Sequence, residues 1–138
     1  MKGFVGNIEK LTEKNTNFRK VLYTGNNLQL VLMALKSDEE IGEEVHKEHD
    51  QFFRIEAGEG KVIIDGVTTK IKGDDAIVVP AGAKHNIVNT GREPLLLYTI
   101  YGPPEHMDAI VCATKTEALS MKEHFDGKTT EPSPKFFQ

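Results

Sequence analysis

From Val21 to about Tyr101 the chain is a succession of short apolar or alternating runs cut by Gly, Pro and Asp turns. Many short strands between turn signals fold as an antiparallel sandwich or barrel, so this pattern constrains the chain more than any other feature. Leu28 to Leu35 is apolar at every position but Gln29, as expected of a strand covered on both faces. Gln51, Phe53, Ile55 and Ala57 alternate with Phe52, Arg54 and Glu56, a period of two that separates an inner face from an outer one. Lys61–Ile64 and Val67–Ile71 flank Asp65-Gly66, a pair that favours a type I′ hairpin. Ala76–Val79 runs into the breaker Pro80-Ala81-Gly82, and His85, Ile87 and Asn89 then alternate on a further strand. Leu95–Tyr101 is apolar on both faces and is expected at the centre of a sheet.

The flanks read differently. Residues 1–27 are polar and weakly patterned and read as an N-terminal arm before a core over 28–102. Thr114-x-x-Glu117 has the spacing of a capping box and predicts a short helix over 114–125. His124 falls at the C-terminal end of that helix, where a cation complements the helix dipole. Residues 127–138 cannot build a core and read as a loose tail, with Phe136 and Phe137 available to dock on this subunit or a neighbour.

With 138 residues the chain is one domain. Its net charge of −4 and its three arginines among 17 basic residues argue against a nucleic-acid partner and a phosphate-gripping cluster. No apolar run approaches the roughly 20 residues that span a bilayer. The single cysteine, Cys112, excludes an internal disulfide and sits in an apolar setting that suits an inert buried thiol. These features together predict a cytoplasmic protein with no membrane partner.

The residues that could carry chemistry are few. Glu44 and His46 are two apart and would share one face of a strand. Gln51 opens the next alternating run, and His85 opens a later one. In a closed barrel all four could face one interior spot, and two His with a carboxylate form a ligand set for a divalent transition metal. Polar residues beside turns are also what a solvated surface carries, so spacing alone leaves both readings open. His49 offers a rival registration with His46, but residues three apart face opposite ways on a regular strand. It would need a bulge or turn at Lys47-Glu48, and we therefore favour Glu44, His46 and His85. Phe53 and Ile55 are expected to line a pocket or simply to pack the core. His49 is also a substrate-pocket candidate, and His106, in a Pro-rich loop after the last central strand, is a substrate-pocket candidate or a surface residue.

Gly73 to Asn89, with Pro80-Ala81-Gly82, His85 and Asn89, resembles the second conserved motif of the cupin superfamily. Gly42 to Gly60 resembles the first, its metal-binding positions falling on Glu44, His46 and Gln51 and its glycine turn on Gly58. The chain departs from the family pattern in three places. Glu44 stands where the first His is usual, Gln51 stands where the acid is usual, and Gly73 lies one residue further from Pro80. The resemblance implies an all-β fold, a single cupin-type jelly-roll β-barrel with a short C-terminal helix. It implies one divalent transition metal (Fe, Mn, Zn or Ni), a small-molecule ligand and a homodimer. Short cupins of this kind are similar to mannose-6-phosphate isomerase-like cupins. The function expected is a metal-dependent enzyme acting on a small polar metabolite, of oxygenase or isomerase type. A non-catalytic sugar or metabolite binding module and a phosphosugar isomerase-like activity are the alternatives.

Overall fold

The strand Leu95–Gly102 (β9) alternates buried and half-buried residues along its whole length, with Leu95, Leu97, Thr99 and Tyr101 facing inward. In the computed structural model, which describes residues 1–121 and 123–132, it is the seam of the larger of two antiparallel sheets. On one side it pairs with β2 (Gln29–Leu35), and on the other with β4 (Asp50–Ala57). β1 (Arg19–Thr24) and the two-residue β10 (Val111–Cys112) extend the sheet beyond β2, and β7 (Ala76–Val79) closes it beyond β4. The smaller sheet runs in the order β3 (Glu44–Val45), β8 (Lys84–Asn89), β5 (Glu59–Ile64) and β6 (Val67–Lys72). The core between the sheets includes Val31, Met33, Leu35, Phe53, Ile55 and Ile87. This is the antiparallel sandwich expected from the strand pattern, in the jelly-roll form that the resemblance implied.

The local signals explain the turns. Asp65 and Gly66 both take positive φ, 45° and 82°, the type I′ geometry that matches strand twist, and Ile64 pairs with Val67 across them. Gly60 is required for a different reason. A Cβ there would lie 2.3 Å from the carbonyl oxygen of Val88 on the neighbouring strand, so the close approach of β5 to β8 needs a residue without a side chain.

Residues 1–27, expected as an arm, contain β1 and a helix, α1 (Ile8–Lys14), that packs on β9 and β4. Asn7 caps the helix by accepting from the Lys10 N–H at 3.0 Å. Its buried contact is made by Thr12, whose hydroxyl donates to the Ile8 carbonyl at 2.7 Å. A polar residue on the packing face hides the helical period from a hydrophobicity reading.

The second helix, α2 (Lys115–Ser120), is shorter than the expected 114–125. Its start is as anticipated. The Thr114 hydroxyl accepts from the Glu117 N–H, while the Glu117 carboxylate reaches back to the Ala113 N–H. It stops early because residues 123–125 instead bond to 105–107, through Met107 N–H to the Glu123 carbonyl and Phe125 N–H to the Glu105 carbonyl. His124 therefore has no helix end to complement.

The start of the expected loose tail is also anchored. Thr130 bonds to both backbone groups of Thr24, and the Glu131 carboxylate accepts from the N–H groups of Lys2 and Gly3 and from the Tyr23 hydroxyl. Those three donors hold its carboxyl down at about 2. Phe136 and Phe137 lie outside the described residues. Among the described residues no helix is long and apolar enough to cross a membrane.

Candidate metal centre

β3 is only two residues long, yet its register decides the site. It pairs with β8 so that Glu44 lies directly opposite His85. Directly opposed residues on one face bring their side chains together. His46, two residues beyond Glu44, comes to the same spot as period two requires. One ligand atom from each of Glu44, His46 and His85 lies within 4.8 Å of the others. The rings of His46 and His85 have centroids 5.3 Å apart.

The hydrogen bonding of the two rings leaves the right atoms free. His85 Nδ1 lies 3.1 Å from the Ala83 carbonyl oxygen, which can only accept, so Nδ1 carries the hydrogen and Nε2 the lone pair. His46 Nδ1 faces the Glu105 carboxylate at 3.7 Å. A backbone carbonyl and a carboxylate are the usual outer partners of metal-ligating imidazoles. His46 Nε2 comes to 2.7 Å from Glu44 Oε2 but, buried as it is, is not aligned for a hydrogen bond with it. Gln51, the fourth sequence candidate, is buried on β4. Its Nε2 donates to the Thr99 hydroxyl at 3.0 Å, and Oε1 is buried with no partner. The donor set fits a divalent ion of the Fe, Mn, Ni or Zn kind.

Burial works to lift the Glu44 carboxyl, but the neighbouring His46 ring outweighs it and holds the group below the usual carboxylate value. Burial likewise works to lower His46, and Glu44 outweighs it in the raising direction. Metal ions and protons compete for these groups, so affinity falls as the pH drops.

Glu44 and His46 also line a cavity of about 430 Å³, whose polar wall includes Arg19, Glu105, His106 and Glu123 and whose apolar wall includes Phe18, Ile41 and Met121. His106 is buried rather than a surface loop residue. Gln29, buried on β2, fixes its segment by accepting from the N–H groups of Glu105 and His106 and donating to the His106 carbonyl. The His106 ring is fixed at both nitrogens. Nδ1 donates to Glu123 at 2.9 Å, and Nε2 accepts from the Tyr101 hydroxyl at 3.1 Å. Burial lowers its pKa against the pull of Glu123, so the ring is neutral with the acceptor at Nε2. Arg19 pairs with the same Glu123 carboxylate. The Tyr101 hydroxyl, wholly buried, is pushed up and stays a donor.

The other sequence candidates fall outside the ligand group. The chain does bend at Lys47-Glu48, as the rival registration required, and the His49 ring comes to 5.8 Å from that of His46. Its nitrogens are taken, however, by the Pro103 carbonyl at 2.7 Å and Glu105 at 2.9 Å. Phe53 and Ile55 are core residues that do not line the cavity, although the Phe53 ring lies 6.3 Å from His85. Cys112 is buried 3.7 Å from both Met121 Sδ and Glu123 Oε2, and burial raises its thiol, in keeping with an inert role. Sequence reasoning missed Arg19, Tyr101 and Glu123. Only Tyr101 had a signal, since alternation along β9 places it on the inner face with Thr99. A wider cleft of about 630 Å³ lies at Gly58, Lys72, Arg92 and Glu93, away from every histidine.

The cupin-domain family profile matches residues 31–101, just over half of the 138-residue chain. The chain belongs to the cupin family. It is 44% identical over 128 residues to the uncharacterised protein YrkC of Bacillus subtilis, covering 88% of this chain and 69% of that one. It is 40% identical over 108 residues to the uncharacterised protein L612 of Acanthamoeba polyphaga mimivirus, covering 75% and 67%. The crystal structure of BH2720 from Bacillus halodurans is 42% identical, with a TM-score of 0.85, and the match covers 87% of this cupin and 96% of that chain. TT1209 from Thermus thermophilus, at 22% identity and a TM-score of 0.64 over 72% of this chain and 96% of its own, shares the fold.

Proposed function

We propose that this cupin is a metal-dependent enzyme acting on a small polar metabolite. The observation that carries the proposal is the group of two His and one Glu, with ligand atoms within 4.8 Å, two of whose members wall a cavity of mixed polar and apolar lining. Glu44, His46 and His85 would hold the ion, with Gln51 Oε1 as a further oxygen. A divalent ion bound there supplies Lewis acidity toward a substrate carbonyl or hydroxyl pair. The chain's own groups bind and orient. Glu105 offers acceptor oxygens to the cavity, and Glu123 with Arg19 holds the His106 ring in place.

A phosphosugar isomerase-like activity draws less support. The cations lining the cavity are Arg19, already paired with Glu123, and Lys115. Lys84, next to His85, lies 3.6 Å from Glu43, and Arg54 pairs with Asp74. If the buried, unpartnered Gln51 Oε1 served as a fourth protein ligand, fewer positions would be left for substrate, which would favour the binding-module reading. The fold itself does not choose between these.

The test is a screen of metal-loaded protein against hydroxy acids, polyols, dicarbonyls and small aromatic compounds, with His85→Ala as the control. Turnover that tracks metal content and disappears in the variant supports the enzyme. Turnover undiminished in the variant sinks the metal role, and saturable binding of one of these compounds without turnover moves the binding module to first place.

A further inference from the structure

We infer that the substrate of the metal site carries an apolar body behind its metal-binding head, and that Leu119 and Met121 select for it. The inference rests on the metal-dependent reading above and narrows the class of molecule that site takes.

The sequence of α2 divides the helix into two faces. Lys115, Ala118 and Leu119 stand at i, i+3 and i+4 and lie side by side, while Thr116, Glu117 and Ser120 are polar and exposed. An amphipathic helix turns its apolar stripe toward something apolar. Ala118 meets that demand by packing into the core. Leu119 does not. It lines the metal cavity together with Lys115 and Ala118, yet 77% of it is exposed. Met121, at the C-terminal end of the helix, lines the same cavity and is 41% exposed. Phe18 and Ile41 continue this apolar wall.

Single apolar side chains scattered over a surface need no explanation. Leu119 and Met121 differ because they share one cavity with Glu44 and His46. Its volume of about 430 Å³ is that of a small-molecule site, where apolar lining supplies contact area and a few polar groups fix orientation. A wholly polar substrate would press its hydroxyl groups against Phe18, Ile41, Leu119 and Met121 without hydrogen bonds, at a cost. An alkyl or aryl body gains from the same contact. Met121 suits this role, since its unbranched thioether adapts to irregular shapes and its Sδ is steadied 3.7 Å from Cys112 Sγ. The class is therefore a small molecule with hydroxyl or carbonyl oxygens at one end and an aliphatic or aromatic body at the other, rather than a polyol.

The probes are acetohydroxamate, hexanohydroxamate and benzohydroxamate, which share a metal-chelating head and differ in the body. Each is titrated into the full chain, chelator-stripped or loaded with Zn²⁺, and read by calorimetry and by methyl NMR of Leu119 and Met121. Affinity for the Zn²⁺-loaded protein should rise from acetohydroxamate to hexanohydroxamate by about fourfold for each methylene that becomes buried. The two longer probes should shift the Leu119 and Met121 methyl signals, and acetohydroxamate should not. Leu119→Asn combined with Met121→Gln should collapse the affinity ratio between hexanohydroxamate and acetohydroxamate, whereas Leu119→Met, which stays apolar, should keep it. Equal affinities across the series, or no binding at all, with silent methyl signals overturn the inference. Acetohydroxamate binding only when Zn²⁺ is present then leaves the metal reading standing. If Zn²⁺ is not taken up but the longer probes still shift both methyl signals in the stripped protein, the metal reading fails and the apolar site stands. Methyl signals that move with protein concentration and not with probe assign the surface to a second copy of the chain and overturn the inference.

Discussion

His85→Ala removes nearly all tightly bound metal while the far-UV circular dichroism of the β-rich fold stays unchanged. The expectation follows from register. β8 carries His85 into direct opposition with Glu44, and no other imidazole reaches that position among the described residues, since both His49 nitrogens are engaged elsewhere. The ring makes one hydrogen bond, to the Ala83 carbonyl in its own turn, so its loss breaks no hydrogen bond between strands. Removing one of three protein ligands from an interior site is a far larger loss than the 10- to 100-fold that outer partners typically contribute. His46→Ala should behave in the same way. Metal content measured in variant and wild type purified side by side decides the matter, and full occupancy in both variants shows the ligand set to be wrong.

Glu123→Ala is expected to be the most destabilising change of a single charged residue. The carboxylate is buried and is the partner of two groups, the Arg19 guanidinium and His106 Nδ1. Its removal leaves Arg19 as a buried charge without a counterion, and breaking such a pair costs about 3–5 kcal/mol. Arg19 already has Nε unpartnered, and Glu123 is the carboxylate with which its guanidinium pairs. Replacing both partners should cost much less than the sum of the single changes, because the desolvation penalty disappears with the charges. Denaturant unfolding of Arg19→Met, Glu123→Ala and the double variant measures this coupling. Additive losses would show that the two residues do not act as one unit.

The sequence shows the barrel clearly where burial follows period two. Leu95–Tyr101, Gln51–Ala57 and the Asp65-Gly66 hairpin all read correctly, because each carries its inner face as apolar residues or its turn as residues that tolerate positive φ. Reading failed where burial was polar or pairing was distant. α1 buries Thr12, which carries no hydrophobic signal. α2 ends early because residues 123–125 are captured by 105–107, a contact no local pattern announces.

The candidate site divides in the same way. Glu44 and His46 are legible from their spacing, and His85 from the Pro-x-Gly turn before it. The cavity wall is not legible, because it is assembled from β1, the loop after β9 and the segment after α2. Arg19, His106 and Glu123 are separated by up to 104 residues and meet only in the folded chain. His49 shows the converse. The bend at Lys47-Glu48 that the rival registration needed is present and brings its ring close, but its nitrogens turn toward Pro103 and Glu105.

The most direct test of the metal centre is elemental analysis of untagged protein purified without chelator or added metal, followed by anomalous diffraction at the absorption edge of the metal found. The account predicts about one Fe, Mn, Zn or Ni in the interior site per chain, with an anomalous peak between Glu44, His46 and His85. Protein that carries no metal, takes none up on titration and shows no peak among these three residues would contradict it.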